Sequence, residues 1–482
     1  MAAGTLTLGD LVDGGGNAAV TACAIDHRKV APGTIFGAFQ GARVNGEDYI
    51  PAAIAAGAVA VVARPDAQVE GAFHIADANP RRAFARLAAR VFAPFPAVTV
   101  AITGTNGKTS TAELTRQLWH MAGHRAASIG TLGVTTGHDR VNPREGTGGL
   151  TTPDVVTFLA TMAGLAREGI SHAAFEASSH GLDQYRTEGL PVAAAAFTNL
   201  SRDHLDYHGT MDAYFTAKTR LFAEVVDAGG TAVIWADDGD WSARMTAIAQ
   251  ARGLKLLTVG KAGADLRLIS AAPGGLGQEL VIEAGGRQHK VMLPLIGAYQ
   301  AANALVAAGL VMATGGDAAR TLADLARVQG VRGRLERAVI TRSGAAVYVD
   351  YAHTPDAIVA ACAALRPHVT GKLILVLGAG GDRDAGKRPL MGEAAAAHAD
   401  VVIVTDDNPR SEDPAAIRAA ILHAAPGAQG IADRRRAITH AINMALAGDV
   451  VLVAGKGHEQ GQTIGDRVLP FDDVTVAREC AA

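Results

Sequence analysis

Apolar and polar positions along the chain fall into a rhythm that changes twice. Up to about residue 95, short apolar runs at Gly33–Phe39 and Ala58–Ala63 predict strands, and Asn79–Phe92 predicts an Ala-rich helix. Pro94 and Pro96 then break the chain. From about residue 97, the runs Val98–Thr103, His172–Glu176, Ala193–Asn199 and Thr231–Trp235 alternate with helical stretches. That is the rhythm of a largely parallel sheet. Gln278–Leu293 reads as a hairpin turning at Gly285 and Gly286. Beyond about residue 332, four β-rich runs each lead into a polar or glycine-rich loop: Ala345–Thr354, Leu373–Asp384, Asp400–Arg410 and Asp449–Glu459. The expectation is an α/β protein of three domains, 1–95, 96–331 and 332–482. In open α/β sheets ligands sit outside the carboxyl ends of the strands, so the loops after these runs are where chemistry is expected.

Composition narrows the class without changing this picture. The 482 residues are 49% hydrophobic and 19% charged, as suits a soluble globular protein. A formal net charge of −3 supplies no basic field to draw the protein to nucleic acid. Cys23, Cys362 and Cys480 are too few and too far apart for a disulfide framework or a zinc knuckle, and read as isolated reduced thiols. No signal-peptide pattern and no apolar run of membrane-spanning length is seen, so a cytoplasmic protein that inserts in no membrane is expected.

The sharpest local signal is the run Thr103-Gly104-Thr105-Asn106-Gly107-Lys108-Thr109-Ser110, between a strand and a helix-forming stretch. Strand, glycine turn, lysine, hydroxyl and helix is the layout of a phosphate-binding loop. A standard loop of this kind has its first glycine where this chain has Ile102, so a shorter loop is expected. Lys108 would reach the β- and γ-phosphates, backbone N–H groups would cradle the oxygens, and Thr109 would offer a hydroxyl to Mg²⁺. Glu176, leaving a buried strand beside two serines and a histidine, reads as a metal ligand or as a capping loop acid. The His-rich loop after Phe197 reads as hydrogen-bonded structure or as a source of a second-ion ligand. Lys218, taken by itself, reads as a solvated helix lysine. Asp406–Arg410 reads as a turn with a solvated arginine.

Taken in order, T-G-T-N-G-K-T, E-A-S-S-H, F-T-N-L-S-R-D-H-L-D-Y-H-G, D-Y-A-H-T-P-D and G-D-R-D-x-G-K-R-P resemble the Mur ligases of peptidoglycan synthesis. Within that family the match is nearest to the branch that adds the third amino acid. The resemblance implies a small N-terminal UDP-binding α/β domain, a central P-loop ATPase-like α/β domain and a C-terminal Rossmann-like α/β domain. It implies a ligase that joins an amine to a carboxylate through an acyl phosphate, with ATP as co-substrate and two Mg²⁺ ions. Its substrates would be UDP-MurNAc-L-Ala-D-Glu and meso-2,6-diaminopimelate, and the protein would be a monomer.

The resemblance also assigns residues. Lys108, Glu176, His204 and a carbamylated Lys218 would be catalytic, and Thr109, Glu176, His204 and Lys218 would hold metal. ATP would be bound by Gly104, Thr105, Asn106, Gly107, Lys108, Thr109, Ser110, Asn303, Arg334 and Asp350, which implies domain closure about a hinge near 330–333. The UDP-substrate would meet Ile25, His27, Ala42, Thr151, Thr152, Ser178, Gln184 and Arg186. Here the chain departs from the family pattern: His27 stands where a serine is common, Ala42-Arg43-Val44 replaces His-Gln-Ala, and Leu150 replaces an asparagine. Diaminopimelate would meet Arg383, Asp407, Asn408, Pro409, Arg410, Gly455 and Glu459. Arg410 would grip the second carboxylate that distinguishes diaminopimelate from lysine, with Asp407 and Asn408 as acceptors for the distal ammonium. The competing readings are a lysine-adding ligase, a folate-type polyglutamate synthetase, and a non-catalytic nucleotide-gated binding module.

Overall fold

The computed structural model describes residues 6–41, 44–137, 139–141, 150–274 and 277–481. The chain divides into two compact units, Met1–Val259 with Gly309–Gly316, and Gly260–Ala308 with Asp317–Ala482.

In the first unit, four short parallel strands lie side by side in chain order: Ala22–Ala24, Thr34–Gly37, Ala58–Ala63 and Phe73–Ala76. The helix Pro80–Phe92 starts where expected, with proline in its first turn and Asn79 accepting from Arg82 N. Its apolar face, Phe84, Ala85 and Ala88, enters the same core as Phe158 of the helix Val155–Arg167 and Phe175 of the larger sheet. On the polar side, Arg82 and Arg86 both pair with the Glu188 carboxylate, at 2.7 and 3.1 Å.

The larger sheet of this unit runs in the spatial order Lys255–Gly260, Thr231–Trp235, Ala194–Phe197, Val98–Thr103, His172–Glu176, Ala126–Gly130, Gly133–Thr136, Asp139–Val141. The strands from Lys255–Gly260 to Ala126–Gly130 are parallel, and the last two pair antiparallel at the edge. Strands buried on both faces carry continuous apolar runs rather than alternation, which is why Val98–Thr103 and Ala194–Phe197 read as they do. The register sets Ile102 opposite Glu176 on one side and Ala196 on the other. Three adjacent strands therefore deliver the glycine loop, Glu176 and the Thr198–His204 loop to one end of the sheet.

In the second unit, Leu266–Gly274, Gly277–Ala284 and Arg287–Leu293 form an antiparallel meander. Its second turn holds Gly285 and Gly286 at φ 55° and 73°, the left-handed pair that a two-residue hairpin favours. A six-stranded sheet follows in the order Glu336–Ile340, Ala346–Asp350, Val450–Ala454, Leu373–Leu377, Val401–Val404, Gln429–Gly430, parallel except for its first pair. The four runs singled out in the sequence are its four central strands, so their loops also share one end. All three cysteines are free thiols. Among the described residues, no helix is long and apolar enough to cross a membrane.

Candidate active site

The loop Gly104–Gly107 joins Val98–Thr103 to the helix Lys108–Met121. Gly104 and Gly107 sit at φ 143° and 88°, backbone that favours glycine. A Cβ on Gly104 would run into Thr198 Oγ1. The neighbouring loop grips this one: Thr198 Oγ1 donates to Asn106 O at 2.6 Å, Asn106 N to Asn199 Oδ1 at 2.9 Å, and Ser201 N to Thr105 Oγ1 at 2.9 Å. Ile102, at the position of the absent first glycine, is still inside the buried strand. The loop is short because the strand runs further before it turns.

Two lysines converge on this loop. Lys108 Nζ donates to Gly104 O at 2.8 Å and to Thr105 O at 2.7 Å. Lys218 Nζ also donates to Gly104 O at 2.8 Å and lies 4.4 Å from the centre of the Tyr214 ring. The reading of Lys218 as a solvated helix lysine is overturned, because it is only 1% exposed. The helix Met211–Arg220 turns it inward with Tyr214 and Phe215, not outward. Burial, and then the cation of Lys108, push its pKa well below 10.5.

Glu176 is 2% exposed. Its carboxylate accepts from Thr131 N at 2.7 Å and Thr131 Oγ1 at 3.1 Å. Thr109, one residue into the helix, is buried. His204 adopts φ 53° at the start of the short helix Leu205–His208, with Nε2 3.4 Å from Asp203 Oδ2. Desolvation lowers its pKa, and Lys108 and Lys218 push in the same direction. His180 stands 4.8 Å away, ring to ring, and burial depresses it to about 4. Among the described residues, no group of three or more His, Cys, Asp or Glu is arranged to hold a metal ion. Thr109 and Glu176 carry hard oxygens of the kind Mg²⁺ takes, while an ammonium at Lys218 has no lone pair to give.

Beside Glu176 lies a second group. Thr152 Oγ1 donates to Glu176 O at 2.8 Å and accepts from Ser178 N at 3.0 Å. Thr131 Oγ1 reaches Thr151 Oγ1 at 3.2 Å. Arg186 donates to Thr152 O at 2.7 Å and to Gln184 Oε1 at 2.8 Å, and burial lowers its pKa. Ser178 also caps the helix Ser179–Asp183. Ile25 and His27 follow the Ala22–Ala24 strand, and His27 stacks on Tyr49 at 4.3 Å and 9°. Ala42 lies outside the described residues.

The second unit gathers its candidates at the ends of its parallel strands. Asp350 is buried, and both carboxylate oxygens accept backbone N–H groups, from Leu335 and Ala352, at 2.7 Å each. Burial raises its pKa to about 6, against the pull of Arg334 and those two bonds. Arg334 lies 4.5 Å over the Tyr351 ring, and Gln300 Nε2 donates to Arg334 O at 3.0 Å. Asn303, on the same helix as Gln300, donates to it at 3.5 Å.

Arg410 is not a loosely solvated turn residue. Its backbone is left-handed, at φ 52°, and is fixed by Arg410 N donating to Thr463 O and Gly465 N donating to Arg410 O. Its Nη1 donates to Gly381 O at 2.6 Å. A Cβ on Gly381 would collide with Pro409 O, and one on Gly455 with Asp407 Oδ2. Arg383 is exposed on the adjoining loop. Asn408 differs from expectation. Its Oδ1 already accepts from Lys456 Nζ at 2.9 Å and Thr463 N at 2.9 Å, so it has little left for a ligand's ammonium. The carboxylates of Asp407 and Glu459 are the acceptors that remain. Lys456 escapes a reading of the sequence, where it is one lysine in a glycine turn. Its signal there is its place one glycine beyond a wholly apolar strand.

Comparison with known proteins follows the same order along the chain. Three family models match: Mur ligase family, catalytic domain, at residues 19–98; Mur ligase middle domain, at 102–311; and Mur ligase, glutamate ligase domain, at 333–457. A UDP-N-acetylmuramoyl-L-alanyl-D-glutamate–2,6-diaminopimelate ligase from Zymomonas mobilis is 60% identical over 95% of this chain and 93% of its own. The proteins of that name from Bradyrhizobium diazoefficiens and Caulobacter vibrioides are 53% and 51% identical, over 94% and 93% of this chain and 93% of each relative. A solved structure of a ligase of that name superposes with a TM-score of 0.73 at 33% identity, covering 99% of both chains. The Thermotoga maritima MurF ligase, solved with ADP, shares the fold, with a TM-score of 0.62 at 19% identity over 96% of this chain and 97% of its own. With three consecutive models accounting for most of its length and relatives at half identity or better over at least 93% of it, the chain belongs to the Mur ligase family.

Proposed function

We propose that the protein is an ATP-dependent ligase that adds meso-2,6-diaminopimelate to UDP-MurNAc-L-Ala-D-Glu. A carboxylate of the D-Glu residue in the nucleotide-linked dipeptide attacks the γ-phosphorus of ATP, and ADP leaves. The amine of diaminopimelate then attacks the resulting acyl phosphate, phosphate leaves, and the amine gives up a proton as the amide forms. The first step brings two anions together, so positioning and charge neutralisation dominate its barrier. Lys108, at the start of the helix that follows the glycine loop, supplies a cation and is flanked by helix N–H groups suited to phosphate oxygens. Thr109, Glu176 and His204 would hold Mg²⁺, which supplies further positive charge on the phosphates when bound.

Lys218 fits this reading as a carbamate. Its depressed pKa leaves a neutral amine free to add CO₂, with loss of a proton. The product is an oxygen donor in a place where, among the described residues, an ammonium is buried without a carboxylate partner within ion-pair distance. Thr151, Thr152, Ser178, Gln184 and Arg186 offer hydroxyls, an amide and a guanidinium for the dipeptide portion. Ile25 and His27, with Ala42, are the proposed uridine-side residues. Asn303, Arg334 and Asp350 are the proposed adenosine- and phosphate-side residues of the second unit.

The observation that carries the choice of amino acid is the Arg410 pocket. A guanidinium on a fixed backbone, on the same loop as the Asp407 carboxylate, suits a terminus bearing both carboxylate and ammonium. Lysine would leave the guanidinium unmatched. Relatives that share at least half of their residues with this chain bear the diaminopimelate ligase name, which supports the same reading. The test is Arg410→Ala. Diaminopimelate-dependent phosphate release should fall by about 100-fold or more, as expected when a charged hydrogen-bonding partner is deleted, while ATP affinity stays within about twofold. Unchanged turnover would remove Arg410 from the substrate pocket.

A further inference from the structure

Lys456 lies on the turn after Val450–Ala454 and is fully enclosed, at 0% exposure. A buried ammonium is costly unless its donors are satisfied. Its Nζ donates to Asn408 Oδ1 at 2.9 Å and to Glu459 Oε2 at 3.1 Å, and stands 3.9 Å from Asp407 Oδ1. Asn408 completes the set: its Oδ1 also accepts from Thr463 N, and its Nδ2 donates to the same Glu459 Oε2 at 2.7 Å.

This arrangement has two consequences. The Asn408 amide has only one workable orientation, because Oδ1 faces two donors and Nδ2 faces a carboxylate. Glu459 is held by its inner oxygen alone. Among the described hydrogen bonds Oε1 has no partner, and Glu459 keeps partial exposure. Charge points the same way. Asp407 and Glu459 are two carboxylates in one small pocket; the buried Arg434 acts on both by charge, and Lys456 is the cation that also touches them, so it helps offset their repulsion.

We propose that Lys456 is a positioning and specificity-determining residue for the amino-acid substrate. It fixes the Asn408–Glu459 pair and sets its charge beside Asp407, so that the pocket presents carboxylate oxygen to an ammonium while Arg410 presents a guanidinium to the carboxylate on the same carbon. The ligand class is an amino-acid terminus carrying both groups, as against a bare alkylammonium. The inference rests on the reading that the Arg410 pocket takes this substrate.

The experiment uses the full-length enzyme with ATP, UDP-MurNAc-L-Ala-D-Glu and either diaminopimelate or lysine. Lys456→Met should raise the KM for diaminopimelate about tenfold or more, the usual scale for leaving a buried hydrogen-bonded group unpaired, with the other two KM values within about twofold. The preference for diaminopimelate over lysine should narrow. Lys456→Gln, neutral but still a donor, serves if Lys456→Met loses its cooperative melt, and should show the same selective rise. Combined with Glu459→Gln, either variant should cost less than the sum of the single effects, because Lys456 acts through Glu459. A purely structural role would move all three KM values together, or add independently of Glu459→Gln, and either result overturns the proposal. If Arg410→Ala collapses turnover while Lys456→Gln leaves the diaminopimelate KM unchanged, the positioning role alone has failed. If Arg410→Ala also leaves turnover unchanged, the pocket reading itself has failed.

Discussion

At the scale of single residues, the catalytic reading turns on two unusual environments. Gly104 combines a left-handed backbone with no room for a Cβ beside Thr198. Gly104→Ala should therefore cost nucleotide binding more than stability, because the loop must shift to relieve the clash. The expected result is at least about a tenfold loss of ATP affinity by calorimetry, with the melting temperature lowered by only a few degrees. Wild-type affinity in the variant would show that the loop does not need this geometry. Lys218 is the second case. Its pKa is held down by burial and by Lys108, which favours the neutral amine that the proposed addition of CO₂ requires. Enzyme exhaustively stripped of CO₂ should lose activity and regain it with bicarbonate. Indifference to bicarbonate would leave Lys218 as an unmodified buried amine.

At the scale of elements, the loops that carry the Arg410 pocket are tied down from behind. Arg434 and Asp473 form a fully buried ion pair, at 2.7 and 2.8 Å. The same guanidinium donates to Ala454 O at 2.9 Å, at the end of the strand that leads to Lys456. The C-terminal helix Asp473–Ala481 thereby anchors the base of the pocket. Asp473→Ala leaves the cation buried and unpaired, and should destabilise the protein by about 3–5 kcal/mol, measured by urea unfolding. A loss below about 1 kcal/mol would mean that water or another group compensates.

Titratable groups inside the elements also set how stability varies with pH. His172, near Trp119 and His124, is depressed to about 4 by burial, as is His180. Both bind a proton more readily when unfolded, so their contribution is intact above about 6.5 and is lost as pH falls through 4. Asp350 works the other way. Raised to about 6 from 3.8, it favours the fold at low pH, and that contribution is lost as pH rises through 6. His172→Gln should flatten the fall in the urea midpoint between pH 7 and pH 5. An unchanged slope would remove His172 from the account.

At the scale of the whole molecule, what the sequence made legible was local. A run of apolar residues followed by glycine, lysine and hydroxyl specifies strand, turn and helix within a dozen positions, so the Gly104–Gly107 loop with its helix and the four central strands of the second unit could be read directly. The side-by-side delivery of Glu176 and His204 followed from the rule for strand ends. Burial was not legible. Whether Lys218 faces solvent depends on Gly104 and Tyr214, and the loop's Gly104 lies more than a hundred positions away. Whether Asn408 can accept from a ligand depends on Lys456 and Thr463, about fifty positions on. Polar residues in such settings look like surface residues until their partners are known.

The central claim is that activating one carboxylate with ATP leads to one new amide, to diaminopimelate in particular. The most direct measurement is to incubate the purified protein with ATP, Mg²⁺, UDP-MurNAc-L-Ala-D-Glu and an equal mixture of meso-diaminopimelate and lysine, and to weigh the nucleotide-linked product. The account predicts a single product heavier by one diaminopimelate less water, with one phosphate released per product. A product bearing lysine, or phosphate release with no ligated product, would contradict it.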